Sequence, residues 1–179
     1  MSTRELRAED VPDLYGLYLK SMQSFGSPPY NTQFFMNFLE LGMGKIFGAF
    51  FEGKLVAALV GYCYQKRIHV IISISDEVQL QHRPNDAMHW AFIKYGCEQG
   101  YELFDFGLTR EGSGQHEYKE KFGSQMHPYH QYYLLLKKKE IPRIDPTDKK
   151  WKFAVAVWKQ MPLCISRRIG PWLRAGLGI

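Results

Sequence analysis

One helix, placed between two strand-like segments, limits the folds open to this chain more than any other feature. It is predicted from Pro84 to Gln99, where apolar residues recur at i, i+3, i+4 and i+7: Met88, Ala91, Phe92 and Tyr95. Pro84 suits a first helical position, and Gly100 suits a left-handed C-terminal cap. Strands are predicted on either side, at His69 to Ser75 and at Tyr101 to Phe106. Because a helix joins them, these strands are expected to be parallel and linked by a right-handed crossover.

The other periodic segments predict an antiparallel sheet with helices around it. In chain order they are helices at Ala8 to Ser24 and Thr32 to Leu41, strands at Lys45 to Phe51 and Leu55 to Gln65, a short helix at His116 to Phe122 and a strand at Tyr129 to Leu136. The turn Glu52-Gly53-Lys54 joins the first two strands as a hairpin. The expected fold class is α/β (α+β), with a mixed, mainly antiparallel sheet, one βαβ crossover and flanking helices.

A chain of 179 residues is expected to form a single domain, which we place at residues 1–140. Residues 141–179 are predicted to form a linker, with prolines between Ile141 and Pro146, and a basic amphipathic helical tail. From Trp151 onward the chain has no acid, and its cations match the whole net charge of +5: Lys152, Lys159, Arg167, Arg168 and Arg174. Such a tail is expected to pack on the domain, or to contact an anionic membrane, a phosphate-bearing substrate or RNA.

Cysteine use and hydropathy favour the cytoplasm. Cys63, Cys97 and Cys164 are odd in number and lie in apolar segments, so neither a disulfide framework nor a zinc site is expected. The N-terminus runs straight into charged residues, and no apolar run approaches the roughly 20 residues of a membrane span. The expected location is the cytoplasm, peripheral to the inner membrane if the tail contacts lipid.

Two adjoining segments resemble the FemAB family of bacterial acyl and aminoacyl transferases. Tyr101 to Gly123, YELFDFGLTREGSGQHEYKEKFG, is similar to the family's strand ending in FDFG, its small-residue loop and its Y/F-K-x-x-W/F-G helix. Arg83 to Gly100, RPNDAMHWAFIKYGCEQG, is similar to the family's P-N-D-x-x-x-W opening and long helix. The exosortase-associated (PEP-CTERM) FemAB-like type is matched by shorter elements: Ser27 to Tyr30, Met161 to Leu163 and Gly170 to Arg174.

This resemblance implies the acetyltransferase-like (GNAT) fold and transfer of an acyl or aminoacyl group to an amine of a cell-envelope precursor or saccharide. It implies aminoacyl-tRNA as the donor, and a basic tail would attract the tRNA backbone. The chain departs from the family at Leu108, His116 and Phe122, where Arg, Tyr and Trp are usual. FemAB proteins have two such domains, so this chain is expected to work as a divided enzyme with a separate N-terminal half, or as a homodimer.

Three residues are candidates for catalysis. The resemblance places Lys119 near the reacting acyl group, where an ammonium stabilises an oxyanion or a phosphate leaving group. Asp105 alternates with apolar neighbours at the end of a strand, so its carboxylate can accept a proton, orient the amine or cap the following loop. His116 can act as a general base, because imidazole accepts a proton near neutral pH. Packing is the alternative role for His116, and solvation on a charged helix is the alternative for Lys119.

Six further residues are candidates for substrate binding: Arg83, Asn85, Asp86, Arg110, Ser113 and Tyr118. Arg110 can hold a phosphate, although a solvated loop is equally consistent with it. CoA-dependent members of the fold bind pyrophosphate with glycine-rich backbone N–H groups at the start of the long helix. Here that stretch has no glycine, Pro84 removes one N–H donor and Asp86 adds an acid. These features argue against acetyl-CoA, and the histidine spacings predict no metal site.

Other functions stay open. Acyl-CoA is the second candidate donor, and the corresponding activity is acetyl-CoA-dependent N-acetylation. A non-catalytic half-domain that recognises an envelope intermediate, or that pairs with a partner protein, is a candidate of a different class.

Overall fold

The computed structural model describes residues 1–130, 132–136 and 149–177. Its sheet has five strands in chain order: β1 Ser2–Glu5, β2 Gly44–Phe51, β3 Lys54–Tyr64, β4 Arg67–Ser75 and β5 Leu103–Asp105. Neighbouring strands are antiparallel from β1 to β4, whereas β4 and β5 are parallel. The six α-helices of the described residues are α1 Val11–Phe25, α2 Thr32–Glu40, α3 Pro84–Glu98, α4 Gly114–Glu120, α5 Lys149–Gln160 and α6 Leu163–Leu177, and two short 3-10 helices lie at Ala8–Asp10 and Glu77–His82. This architecture confirms the predicted fold class.

Two apolar cores lie on opposite faces of the sheet, because successive residues of a strand point to opposite sides. Ile46 and Val60 are buried with residues of α1 and α2. Their neighbours Phe47 and Leu59 are buried with residues of α3. Phe92 of α3 is fully buried, and its ring stacks on Phe47 with 4.7 Å between centroids. The sheet is therefore covered by helices on both faces.

The crossover predicted from the sequence is present, and it positions the edge of the sheet. α3 begins after Arg83, which has a left-handed φ of 54°, and Pro84 occupies its first turn. The pairing of β5 with β4 has three residue pairs and ends at His69 with Asp105, although β4 continues to Ser75. Beyond that pair, the described residues contain no strand on the β5 side of β4, so the sheet opens there.

Two predictions near the chain ends were incomplete or wrong. β1 was not predicted, since the stretch Ser2–Glu5 is polar and forms an edge strand on β2. The strand predicted at Tyr129 to Leu136 is wrong for residues 129–130 and 132–136, which form no strand. These residues are mostly aromatic or aliphatic, but among the described residues no strand lies beside them, and Tyr132 is 92% exposed. A strand without a ladder partner leaves its backbone groups to water and gains no cross-strand packing. The linker predicted at 141–146 lies outside the described residues.

The basic tail forms two helices that pack against α1. Trp158 of α5 and Ser166 of α6 are buried. Arg174 donates a hydrogen bond from Nη1 to the Pro28 carbonyl (2.8 Å), and its guanidinium lies 3.8 Å from the centre of the Tyr30 ring. Among the described residues, no helix is both long and apolar enough to cross a bilayer.

Two glycines of α6 form a matched pair for testing how the tail is held. A Cβ at Gly170 would lie 2.3 Å from Cδ of Pro29, whereas a Cβ at Gly176 would meet nothing within 4 Å. Alanine favours a helix over glycine by up to about 1 kcal/mol at either site. We expect Gly170→Ala to lower the free energy of unfolding by about 1–2 kcal/mol, because the clash with a rigid ring outweighs that gain. Gly176→Ala should leave it unchanged or raise it. Urea unfolding followed by circular dichroism measures both, and equal effects would contradict the docked position of α6.

Candidate active site

Three polar side chains meet around Gly107, directly after β5. Asp105 Oδ2 lies 2.8 Å from Nδ1 of His69, and Asp105 Oδ1 accepts a hydrogen bond from the Gly107 N–H (2.9 Å). Lys119 donates from Nζ to the carbonyl oxygens of Gly107 (3.1 Å) and Leu108 (3.3 Å), and it also contacts Thr109 Oγ1. The structure therefore brings together two of the predicted catalytic residues, Asp105 and Lys119, and adds His69.

The parallel register explains why His69 and Asp105 meet. They are directly paired residues on β4 and β5, so their side chains emerge on the same face of the sheet. Phe104 points to the other face, where its ring lies 5.7 Å from that of Phe92. Asp105 thus leaves the sheet on the face predicted from its alternation with the phenylalanines. His69 was not predicted as a site residue.

Gly107 lets the chain turn away from the sheet at this point. Its φ is 73°, a conformation that side chains other than glycine rarely adopt. A Cβ there would also lie 2.6 Å from the carbonyl oxygen of Val70. The loop can therefore lie against β4 only because position 107 has no side chain.

The pKa values of Asp105 and Lys119 are shifted by their surroundings. Partial burial raises the pKa of Asp105, but the hydrogen bonds from His69 and from the Gly107 N–H lower it more, so the net pKa lies below its ordinary value. Partial burial lowers the pKa of Lys119, and the nearby Asp105 carboxylate opposes this. Asp105 is thus an anion at neutral pH. With Nδ1 of His69 bonded to it, Nε2 is the imidazole nitrogen left to exchange a proton with a substrate.

A second group surrounds the start of α3. His89 is buried, and its Nδ1 lies 2.8 Å from the Asn85 carbonyl oxygen and 3.2 Å from the Tyr118 hydroxyl. Burial lowers the pKa of His89, despite the opposing effects of that carbonyl and of Asp86, so this ring is neutral. Burial raises the pKa of Tyr118, and the charge of Asp86 and a hydrogen bond to it raise it further. The rings of Phe106 and Phe122 complete the cluster. Asn85, Asp86 and Tyr118, all predicted to bind substrate, thus lie together.

The residues at the start of α3 make this helix end unfavourable for binding a phosphate. Arg83 precedes the helix and is exposed, and Pro84 has no N–H to offer. The Asp86 carboxylate lies in the first turn, where the positive end of the helix dipole stabilises it and where its own negative charge would repel a phosphate. The Asn85 Oδ1 is buried without a hydrogen-bond partner in the described structure.

The third group is built into the cap of α4. Ser113 Oγ accepts a hydrogen bond from the His116 N–H (3.3 Å) and donates to the Arg110 carbonyl (2.7 Å). His116 Nδ1 accepts from the Gly112 N–H (3.3 Å), and its Nε2 lies 3.5 Å from Glu120. Both nitrogens of His116 therefore contact the helix and its preceding loop, and its catalytic role stays a prediction. Among the residues that the structure describes, no group of three or more His, Cys, Asp or Glu side chains is placed to hold a metal ion.

Lys119 and Lys121 form a matched pair for testing the loop. We expect Lys119→Met to lower the free energy of unfolding by about 1–2 kcal/mol, because it removes charged hydrogen bonds to the loop after Gly107. Lys121 is exposed, and Lys121→Met should change stability by less than about 0.5 kcal/mol. Guanidinium unfolding of both variants measures this difference. Equal stability of the two variants would show that Lys119 does not hold the loop.

Comparison with known proteins identifies the family. Acetyltransferase (GNAT) domains match residues 2–120, more than half of the chain. The solved structure of an aminoglycoside acetyltransferase from an uncultured soil metagenomic sample, in complex with sisomicin, is 16% identical with a TM-score of 0.64; the match covers 75% of this chain and 96% of that chain. A ribosomal-protein-alanine N-acetyltransferase from Brucella melitensis biovar Abortus 2308 is 12% identical with a TM-score of 0.61, covering 76% of this chain and 99% of that one.

A probable acetyltransferase is 14% identical with a TM-score of 0.65, and the match covers 78% of this chain and all of that chain (100%). At these identities the likeness shows a shared fold. No curated protein sequence matched the chain. The match to the domain family, together with the shared fold, shows that the chain belongs to the GNAT family and is an acyltransferase.

Proposed function

We propose that this acyltransferase moves an acyl or aminoacyl group onto a primary amine, with His69 as the general base. One observation carries the proposal: the parallel pair of β4 and β5 ends at the hydrogen bond between His69 and Asp105. Beyond that pair the described residues place no strand on the β5 side of β4, so backbone N–H groups on this edge of β4 have no strand carbonyl to bond. Such groups can stabilise the oxygen of a reacting carbonyl.

The reaction needs one proton acceptor and one proton donor. The amine nitrogen attacks the acyl carbon, a C–N bond forms, and His69 Nε2 takes the proton that the nitrogen loses. The C–S bond of a thioester, or the C–O bond of an aminoacyl ester, then breaks, and the leaving sulfur or oxygen takes the proton back from the His69 imidazolium. Asp105 acts as a positioning residue, because its carboxylate fixes the imidazole tautomer and stabilises the charged ring.

Lys119 is proposed to contribute electrostatically. Its ammonium is partly buried beside Asp105, and a positive charge in such surroundings attracts an oxyanion more strongly than in water. Its hydrogen bonds to the loop carbonyls hold that charge in place.

Two donors are consistent with the family, and they are distinguished by the start of α3. The first is aminoacyl-tRNA, used in a FemAB-like reaction on an amine of a cell-envelope precursor or saccharide. This donor is supported by Pro84 and Asp86, because both make the start of α3 a weaker site for pyrophosphate. Acetyl-CoA is supported by the acetyltransferases of similar fold, one of which acts on an aminoglycoside, itself an amine-bearing saccharide. The matches cover 96–100% of three acetyltransferase chains, which supports catalysis without a second half.

A histidine pair tests the base. We expect His69→Gln to lower kcat by about 10²–10⁴ with little change in KM, because the amine loses its proton acceptor. Asp105→Asn should lower kcat less. The control is His127→Gln, which changes an exposed histidine outside the residues that match the family. Product formation from acetyl-CoA or alanyl-tRNA with a panel of amino sugars and peptides is measured by mass spectrometry. A His69→Gln variant with unchanged kcat would exclude His69 as the base.

The donor is tested by calorimetry with acetyl-CoA and, separately, with alanyl-tRNA at low salt. We expect the tRNA to bind and its affinity to fall as salt rises, and we expect no binding of acetyl-CoA, because Asp86 repels its phosphates. Tight binding of acetyl-CoA would show that Pro84 and Asp86 do not prevent CoA binding, and it would favour acetyl-CoA-dependent N-acetylation. Asp86→Asn serves as the matched variant, since it removes the acid and should strengthen any CoA binding. Binding of neither donor would favour a non-catalytic half-domain that recognises an envelope intermediate.

A further inference from the structure

The two tail helices have one face on the domain and a second face in solvent. On the inner side, Trp158, Ser166 and Gly170 are buried, and Leu163 packs against the core of α1 and α2. Arg174 is held by the Pro28 carbonyl and the Tyr30 ring. These contacts determine which side chains of the tail remain exposed.

α6 exposes a second apolar stripe beside its buried one. Ile165, Ile169 and Trp172 are exposed, and Trp172 has 78% of its surface in solvent. They lie at i, i+4 and i+7, so helical spacing aligns them along one side of α6. The buried Ser166 and Gly170 follow Ile165 and Ile169 by one residue each, which places them about 100° around the helix.

α5 adds two apolar side chains at one turn's spacing. Phe153 is 72% exposed, and Val157 is exposed four residues later. Trp158 and Leu163 face the domain. The exposed apolar surface of the tail thus consists of Phe153, Val157 and the α6 stripe.

The charge of this surface has one sign. Residues 149–177 contain seven cations and no acid: Lys149, Lys150, Lys152, Lys159, Arg167, Arg168 and Arg174. Arg168 is exposed and lies one helical turn before Trp172. Apolar side chains beside exposed cations are complementary to a surface with anionic groups on the outside and an apolar layer beneath them.

We propose that the α5–α6 hairpin binds the surface of an anionic lipid bilayer. Ile165, Ile169 and Trp172 would enter the boundary between headgroups and acyl chains, and the exposed Lys152 and Arg168 would contact lipid phosphates. An RNA backbone would use the cations but has no place for the aliphatic stripe. A second copy of the hairpin would bring its own exposed Lys152 and Arg168 against those of the first. The bilayer is the partner that uses both features, and this proposal does not depend on the identity of the acyl donor.

Vesicle sedimentation tests the proposal with the full chain. We expect binding to vesicles of 70% phosphatidylcholine and 30% phosphatidylglycerol, much weaker binding to pure phosphatidylcholine, and a loss of affinity at 0.5 M salt, where charges are screened over about 4 Å. Trp172→Ala should weaken the partition coefficient about tenfold or more, because the largest exposed apolar side chain is lost. Arg168→Gln should weaken it about fivefold.

The matched controls are Trp90→Ala and Lys94→Gln, which change an exposed tryptophan (63%) and an exposed lysine on α3. Neither should alter vesicle binding. Urea unfolding checks that each variant is folded, and brominated lipids provide a second readout. They should quench tryptophan fluorescence in Trp90→Phe but much less in Trp172→Phe.

Three results would overturn the proposal. One is absence of binding to the anionic vesicles by the folded protein. Another is binding that Arg168→Gln weakens and Trp172→Ala does not, with tRNA bound in the same way, since that pattern indicates RNA. The third is a dimer in sedimentation velocity, without lipid, that Trp172→Ala dissociates.

Discussion

The short parallel pairing of β4 with β5 is the constraint on which the site depends. α3 imposes this pairing, because a strand that follows a crossover helix must return parallel to the strand before it. Phe92 of α3 is buried in the core on the α3 face of the sheet, and a Cβ at Gly96 would lie only 2.9 Å from the Ile68 side chain. Since the pairing stops at Asp105, the side chains at its end lie beside an open edge. Six residues of β4, from Val70 to Ser75, continue beyond the last pair without β5 beside them.

Periodicity in the sequence was sufficient for the elements that bury one face. α1, α2, α3 and the strands β2 to β4 each carry an apolar pattern of the right period, and all were predicted within a few residues. β1 has no such pattern, and pairing with β2 defines it. The guanidinium of Arg4 also lies 4.5 Å from the centre of the Phe50 ring. Residues 129–130 and 132–136 show the opposite case, since they are mostly aromatic or aliphatic and yet form no strand. The apolar pattern of a segment indicates which of its faces is buried. Which strands pair with each other depends on the tertiary fold.

The site could be predicted only where it follows from a single segment. The direction of the Asp105 side chain follows from alternation with its neighbours, and it was predicted. Its contact with His69, 36 residues away in the chain, depends on the register between β4 and β5, which neither segment encodes alone. Ser113 and His116 illustrate the reverse case. Both residue types suggest chemistry, yet their hydrogen bonds cap and brace the short helix that carries Lys119.

Lys119 shows why a structural contact does not argue against a functional one. An ammonium has three donors, and here they reach Gly107, Leu108 and Thr109. Asp105 accepts the Gly107 N–H and Lys119 donates to the Gly107 carbonyl, so the two side chains hold this residue from both sides. A charge fixed in this way undergoes little reorganisation when an oxyanion forms nearby, and such preorganised charges contribute most to stabilising a transition state. The contacts that anchor Lys119 to the loop are therefore the ones that would make its charge effective in acyl transfer.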